Sequence, residues 1–260
     1  MPHAPRFLLL QARKPQDPVR EEERQAFVAA AGLPDDAVVT YDLLQGPPPR
    51  ALWQGYDGVF IGGSGEYNLS DGSCPQPQAT LDFLLTLVHS GKPMFASCFG
   101  FQMLAVALGG TVERDVARAE IGTFPITLTP QGRRDDLFGQ LPPRFWAQLG
   151  HKEHVVRFPH AKAVHLARSE RSPYQALRIP GTAVWATQFH PELNQQRNMA
   201  RLLRYRDLYV RHLGDEGFQA LLDQFRPSPI ADELLPRFLY LVFGWLGPRG
   251  RHNHHGRAEG

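Results

Sequence analysis

The stretch that most constrains this chain runs from Pro93 to Gly110, PMFASCFGFQMLAVALGG. It begins as a short apolar strand, continues as an apolar helix closed by a glycine pair, and carries Cys98 at the corner between them. A side chain held at a strand-to-helix corner sits in a strained turn, so only small residues fit two positions before and after it. Here those are Ala96 and Gly100. Such a turn aims the thiol at solvent beside the first helical turn, where unpaired N–H groups and the positive end of the helix dipole favour a thiolate. The competing reading of Cys98 is a small buried hydrophobe, the common state of a free cysteine.

A second stretch, far downstream, weighs against that reading. Val184 to Glu192, VWATQFHPE, reads as a strand delivering His190 and Glu192 at alternate positions, hence on one face. Pro191 biases His190 towards extended backbone, so that Glu192 can reach one imidazole nitrogen and orient the other towards the thiol. The pattern is that of a Cys98-His190-Glu192 triad.

Cys98, Gly100 and Gln102 match the C-x-G-x-Q core of the class I glutamine amidotransferase elbow, and Gln188 to Glu192 match that family's Q-F-H-P-E run residue for residue. Both motifs in this order are far more specific than either alone. The chain therefore resembles that family over roughly residues 5–210, and within it looks closest to the stand-alone GMP synthase-like glutaminase domains. One departure is Ala96, where the family usually has Gly.

The resemblance implies a flavodoxin-like α/β fold and hydrolysis of the glutamine side-chain amide through a cysteine thioester, without a cofactor. It implies that ammonia passes to a separate acceptor or synthetase, because these residues contain no S-G-G-x-D-S stretch of an ATP pyrophosphatase. It also implies roles. In Ile61 to Glu66, IGGSGE, the matching glycine pair follows the third strand and supplies one backbone N–H of an oxyanion hole, completed by the residue after the nucleophile. These are Gly63 and Phe99. Gln102 would contact the bound glutamine. His151, in LGHKE, resembles the family's histidine-containing loop beside the substrate's α-carboxylate and α-amino group. The usual form there is S-H-G-D, of which only the histidine is matched.

Similar machinery also hydrolyses γ-glutamyl bonds in small peptides or conjugates, and the motifs do not separate the two substrates. A non-catalytic regulatory protein on the same scaffold is a third reading, against which the intact Cys98, His190 and Glu192 stand. An α/β hydrolase is disfavoured because that fold places its acid on an earlier strand.

From Arg6 to Gly110 strand and helix signals alternate, with helices from Val19 to Ala31 and from Thr80 to His89. Alternation predicts an open, mostly parallel sheet with helices on both faces and a site at the strands' carboxyl ends. Gly62, Gly63 and Gly65 could form a phosphate loop, but the Lys-Ser/Thr that completes one is missing. Residues 110–180 are strand-rich and read as a region packed beside the sheet. They carry His151, His154, His160 and His165, yet neither HExxH nor paired-cysteine spacing accompanies them, so no metal is expected.

The 260 residues, 42% hydrophobic, suit one α/β domain with an appendage. We place an amidotransferase domain at 1–214, a helical extension at 215–248 and a disordered tail at 249–260. Within the domain, the amphipathic stretch from Asn194 to Leu213 is expected to be one helix packing Met199, Leu202, Leu203 and Tyr209 on the sheet. A net charge of +2 gives no field suited to nucleic acid. The longest apolar runs fall far short of the roughly 20 residues of a membrane span. Two cysteines, Cys74 and Cys98, fit a reducing cytoplasm. The stretch from Ile230 to Leu246 is so apolar that it must dock on the domain or on a second copy in a homodimer.

Overall fold

The computed structural model of the chain describes residues 3–247. Its first half alternates: β1 (Phe7–Ala12), α1 (Val19–Ala31), β2 (Val38–Asp42), α2 (Arg50–Gln54), β3 (Gly58–Ser64), α3 (Pro77–His89), β4 (Met94–Ser97) and α4 (Phe99–Ala107). Seven strands follow: β5 (Thr111–Arg114), β6 (Glu120–Leu128), β7 (Arg144–His151), β8 (Glu153–Arg157), β9 (Val164–Arg168), β10 (Ala176–Ile179) and β11 (Val184–Thr187). Three helices close the chain, α5 (Gln195–Arg204), α6 (Arg206–Leu222) and α7 (Leu234–Phe243).

Nine strands form one open sheet in the order β2-β1-β3-β4-β11-β10-β9-β6-β7. The first five are parallel, as the βα alternation requires, and β10, β9, β6 and β7 extend the sheet in antiparallel fashion. β5 and β8 pair as a separate hairpin-like ribbon. The strand-rich middle of the chain is therefore mostly an extension of the main sheet.

Because successive side chains of a strand point to opposite faces, β1 divides its residues between two cores. Leu8 and Leu10 join Val59, Ile61, Met94 and Ala96 beneath α3 and α4. Phe7 joins Phe60, Phe95 and Trp185 beneath α1 and α7 on the opposite face. Phe7 and Phe60 stack at 4.0 Å, and Phe27 of α1 stacks on Phe60 at 4.9 Å. Strands covered on both sides in this way read as continuous apolar runs.

The apolar helix near the end of the chain docks on this core. Leu234, Leu235, Phe238 and Leu239 of α7 are buried, and the Phe238 ring meets Phe95 at 5.6 Å and Trp185 at 5.9 Å. The expected tail at 249–260 lies outside the described residues. Among the described residues no helix is long and apolar enough to cross a membrane.

Two local expectations are corrected. The amphipathic stretch from Asn194 to Leu213 is two helices that meet at Tyr205, and a further break at Gly214 (φ 70°, ψ 174°) bends α6. Leu202 is buried with Ile121, Phe218 and Phe225 in a small separate cluster, whereas Leu203 is 49% exposed. The second concerns His190 and Glu192, which do not lie on a strand: β11 stops at Thr187. His190 to Leu193 form a turn closed by Leu193 N–H donating to the His190 carbonyl at 3.2 Å, with Pro191 at its second position. Proline pre-sets φ there and has no N–H to continue a ladder.

Candidate active site

β4 and β11 are neighbouring parallel strands in register, with Ser97 opposite Thr187, and the chain leaves both at the same edge of the sheet. Cys98 is the first residue beyond β4 and the cap of α4. Its backbone has φ 52° and ψ −104°, and only Gln76 shares a positive φ among the described non-glycine residues. A non-glycine residue held there costs about 1–3 kcal/mol, so surrounding contacts must impose it. They are visible: Cys98 N–H donates to the Thr187 carbonyl at 2.8 Å, and Gln102 N–H returns to the Cys98 carbonyl at 3.1 Å. Gly100 lies so close to β3 that a Cβ there would fall 2.8 Å from the Ile61 Cβ. The glycine two positions after Cys98 is thus demanded by packing.

Beyond β11, Gln188 Nε2 reaches the Cys98 sulfur at 3.7 Å. His190 is anchored through its backbone N–H to the Gln148 carbonyl at 2.9 Å, and its Nδ1 lies 2.6 Å from Glu192 Oε1. Ser97 Oγ donates to the same carboxylate oxygen at 3.2 Å. Both His190 and Glu192 are buried. Burial pulls the imidazole pKa down, but the charges of Glu192 and Cys98 and the hydrogen bonds to them outweigh it and raise it to about 9. A cavity of about 600 Å3 opens beside Cys98 and His190, with Lys152, Arg114 and Tyr209 among its lining residues.

The profile of the family described as glutamine amidotransferase class-I matches residues 47–206. The chain belongs to the class-I glutamine amidotransferase family. A glutamine-hydrolysing GMP synthase of Aliivibrio fischeri is 30% identical over 147 residues, 56% of this chain and 26% of that protein. One subunit of the glutamine-hydrolysing GMP synthase of Methanocaldococcus jannaschii is 32% identical over 106 residues, 41% of this chain and 54% of that one. This amidotransferase chain thus spans about a quarter of the first and half of the second. In fold it is similar to a glutamine amidotransferase of Thermotoga maritima (TM-score 0.70, 20% identity, 92% of this chain and 98% of that one) and to one of Methylobacillus flagellatus (TM-score 0.65, 20% identity, 92% and 94%).

The remaining residues singled out in this amidotransferase's sequence fall in different settings. Phe99 opens α4, where a helix's first N–H groups have no intrahelical partner. Gly63 lines the cavity, but its N–H donates to the Glu23 carboxylate at 3.0 Å and so is already committed. Gln102 is buried, with Nε2 donating to the Glu153 carbonyl at 3.0 Å and to Gln188 Oε1 at 3.1 Å. His151 is 4% exposed, and both ring nitrogens are engaged, Nε2 with Glu120 Oε2 at 3.0 Å and Nδ1 with the Glu153 carbonyl at 2.8 Å. His154 stacks edge-on against it at 4.8 Å, while His160 and His165 sit around Phe158 and Tyr174. Among the described residues no group of three or more His, Cys, Asp or Glu has the geometry to hold a metal.

Sequence reasoning passed over Arg13 and Glu23. Both are buried, and the guanidinium meets the carboxylate in a fork at 3.1 and 3.2 Å directly behind the Gly62–Gly63 turn. The signal was present: Glu23 stands four residues after Val19 and four before Phe27, on the buried stripe of α1.

Proposed function

We propose that this chain is a cysteine-dependent glutaminase in which Cys98, His190 and Glu192 act as a triad on the glutamine side-chain amide. The observation that carries the reading is the strained Cys98 backbone at the β4–α4 corner, level with a His190–Glu192 pair 2.6 Å apart on the next strand's exit. A raised imidazole pKa means that His190 holds a proton at neutral pH, ready for a leaving group. The Cys98 thiolate attacks the amide carbon, His190 gives its proton to the departing ammonia, and Glu192 stabilises the imidazolium between. Water, deprotonated by His190, then opens the thioester; the sulfur leaves as thiolate beside the protonated imidazole, and the product acid ionises to glutamate.

The tetrahedral oxyanion requires N–H donors that are otherwise unspent, each worth roughly 3 to 4 kcal/mol in comparable sites. Phe99 N–H, at the start of α4, is one. For the other, Ser64 replaces Gly63 in our reading. Gly65 N–H turns to the Ala12 carbonyl of β1 at 3.3 Å, and alternation in extended backbone sends the preceding amide, Ser64 N–H, to the opposite side, where β4 ends at Cys98. Gln102 then orients Gln188 beneath the substrate, and His151 braces the cavity wall. The ammonia passes to a separate acceptor or synthetase. Two free cysteines, neither in a disulfide, accord with a cytoplasmic setting.

A second reading, hydrolysis of γ-glutamyl conjugates, is favoured by the cavity. Its volume of about 600 Å3 exceeds what a single amino acid fills. Lys152 lines it with its ammonium over the Tyr209 ring at 4.9 Å, and burial with the nearby Arg114 lowers its pKa. An anionic leaving portion would relieve that pair. The deciding experiment measures ammonia release from glutamine and amino-acid release from a panel of γ-glutamyl dipeptides, with Cys98→Ser as control. Turnover of glutamine supports the first reading, turnover of dipeptides alone the second, and equal rates in parent and Cys98→Ser would sink both.

A further inference from the structure

Glu23 is a carboxylate in the core-facing stripe of α1, and it is fully enclosed. Taking a charge out of water costs several kcal/mol unless geometry and hydrogen bonds compensate. The compensation here is unusually complete. Oε2 accepts from Gln11 Nε2 at 2.8 Å and Arg13 Nε at 3.2 Å; Oε1 accepts from Arg13 Nη2 at 3.1 Å and Gly63 N–H at 3.0 Å. Arg201 of α5 stands 3.8 Å from Oε1. Burial pushes the Glu23 carboxyl up, but Arg13 and Arg201 outweigh it and hold it below the ordinary carboxylate range.

Three of these donors could satisfy a purely structural carboxylate. The fourth, Gly63 N–H, belongs to the end of β3 that lines the cavity with Cys98. A Cβ at Gly62 would lie 2.7 Å from Glu23 Cδ, and one at Gly63 would lie 3.4 Å from His190 Cε1 and 3.5 Å from Arg13 Nη2. The glycine pair is therefore pressed between the buried ion pair on one side and the imidazole on the other. β3 is also out of step with β1 here: Leu10 pairs with Ile61 but Ala12 with Ser64, so an extra residue bulges at Gly62–Gly63. A bulge breaks the ladder and frees its amides to rotate, and something other than β1 must fix them.

We propose that Glu23, held by Arg13, is a positioning residue for the oxyanion hole: by accepting Gly63 N–H it fixes the bulged turn so that the next amide, Ser64 N–H, faces Cys98. This rests on the reading of Cys98 as nucleophile and of Ser64 N–H as donor. Arg13 keeps the acceptor charged and centred, and Arg201 ties the same carboxylate to the first helix after the triad.

The test compares two double variants of the full chain. Arg13→Met with Glu23→Gln and Arg13→Met with Glu23→Leu are both uncharged and fill similar space, but only the first offers Gly63 N–H an oxygen. We expect the glutamine variant to hydrolyse glutamine within about fivefold of the parent and the leucine variant to lose about 100-fold in kcat with KM nearly unchanged. Iodoacetamide, which needs no oxyanion hole, should alkylate Cys98 equally fast in both. Equal kcat in the two folded variants overturns the proposal. If the leucine variant does not fold, Glu23→Asp replaces it: the charge stays, the carboxylate is too short to reach both Arg13 and Gly63, and kcat should fall at least about tenfold at constant KM. Parent-level kcat in Glu23→Asp overturns the proposal as well. A parent inactive on glutamine defeats the underlying reading and this inference with it, whereas an active parent with indistinguishable variants defeats this inference alone.

Discussion

Glu192 Oε1 lies 2.6 Å from His190 Nδ1 and is shared with Ser97 Oγ at 3.2 Å, so the strand that leads into Cys98 also braces the carboxylate of the neighbouring turn. The carboxylate is thereby fixed from both β4 and the β11 exit, and the imidazole it holds is charged over an extended pH range.

That charge has a measurable consequence. His190 titrates at about 9 when folded against about 6.5 when unfolded, so the stabilisation from its protonated form is complete below about 6.5 and is lost as pH rises through about 9. We expect the Tm advantage of the parent over Glu192→Gln to be largest near pH 6 and to shrink steadily towards pH 9.5. Calorimetry of both proteins across that range checks it, and a constant difference would contradict it.

Thiol reactivity should be confined to one cysteine. Cys74 is buried, and burial together with the Glu153 charge pushes its thiol pKa up. We expect a glutamine-like alkylating analogue to label Cys98 alone at pH 7, with the label lost in His190→Ala. Peptide mass mapping reads the outcome, and modification chiefly at Cys74 would refute it.

At the corner itself, Gly100→Ala should be costly. The new Cβ would fall 2.8 Å from Ile61 Cβ and Cγ2 and 3.0 Å from its carbonyl oxygen. Overpacking of that kind costs about 1–3 kcal/mol and pushes α4 away from β3. Denaturant titration should show a lower midpoint, and glutamine hydrolysis should fall more than stability alone explains.

On the opposite face, Phe238→Ala should be among the most destabilising substitutions. Its ring touches Phe95, Trp185 and Phe243, and the residue is fully buried. Removing such a ring costs about 3–5 kcal/mol, or roughly 10 °C in Tm for a chain of this size. The Cys98 alkylation rate below the melting transition should be unchanged, because the ring lies on the α1–α7 side of the sheet.

The elbow was legible in the sequence because it is local. A strand, a corner and a helix within eighteen residues leave little freedom, and Gly100 falls where the packing against Ile61 requires it. His190 and Glu192 were legible as partners although their backbone is a turn, since a proline between them serves either geometry. The direction of the Gly63 N–H was not legible for a different reason: it depends on a bulge and on a carboxylate forty positions earlier. Glu23 lies in the run REEER, where its spacing from Val19 and Phe27 marks it as inward-facing, but its partner Arg13 is visible only in the structure. The antiparallel half of the sheet was equally opaque, because short strands such as β9 and β10 carry no sign of which neighbour they will choose.

The docking of α7 also governs when the chain can become a protein. Phe7, the first core residue of β1, meets Phe243 edge-on at 5.5 Å, so the α1 side of the sheet is closed by residues more than two hundred positions later. During synthesis, which delivers roughly 5–20 residues each second, α1 can cover Phe60 early, but the sides of Phe7 and Phe95 that meet Phe243 and Phe238 stay open until α7 has left the ribosome. Folding of this layer is therefore a late event that joins the two ends of the described chain in one step.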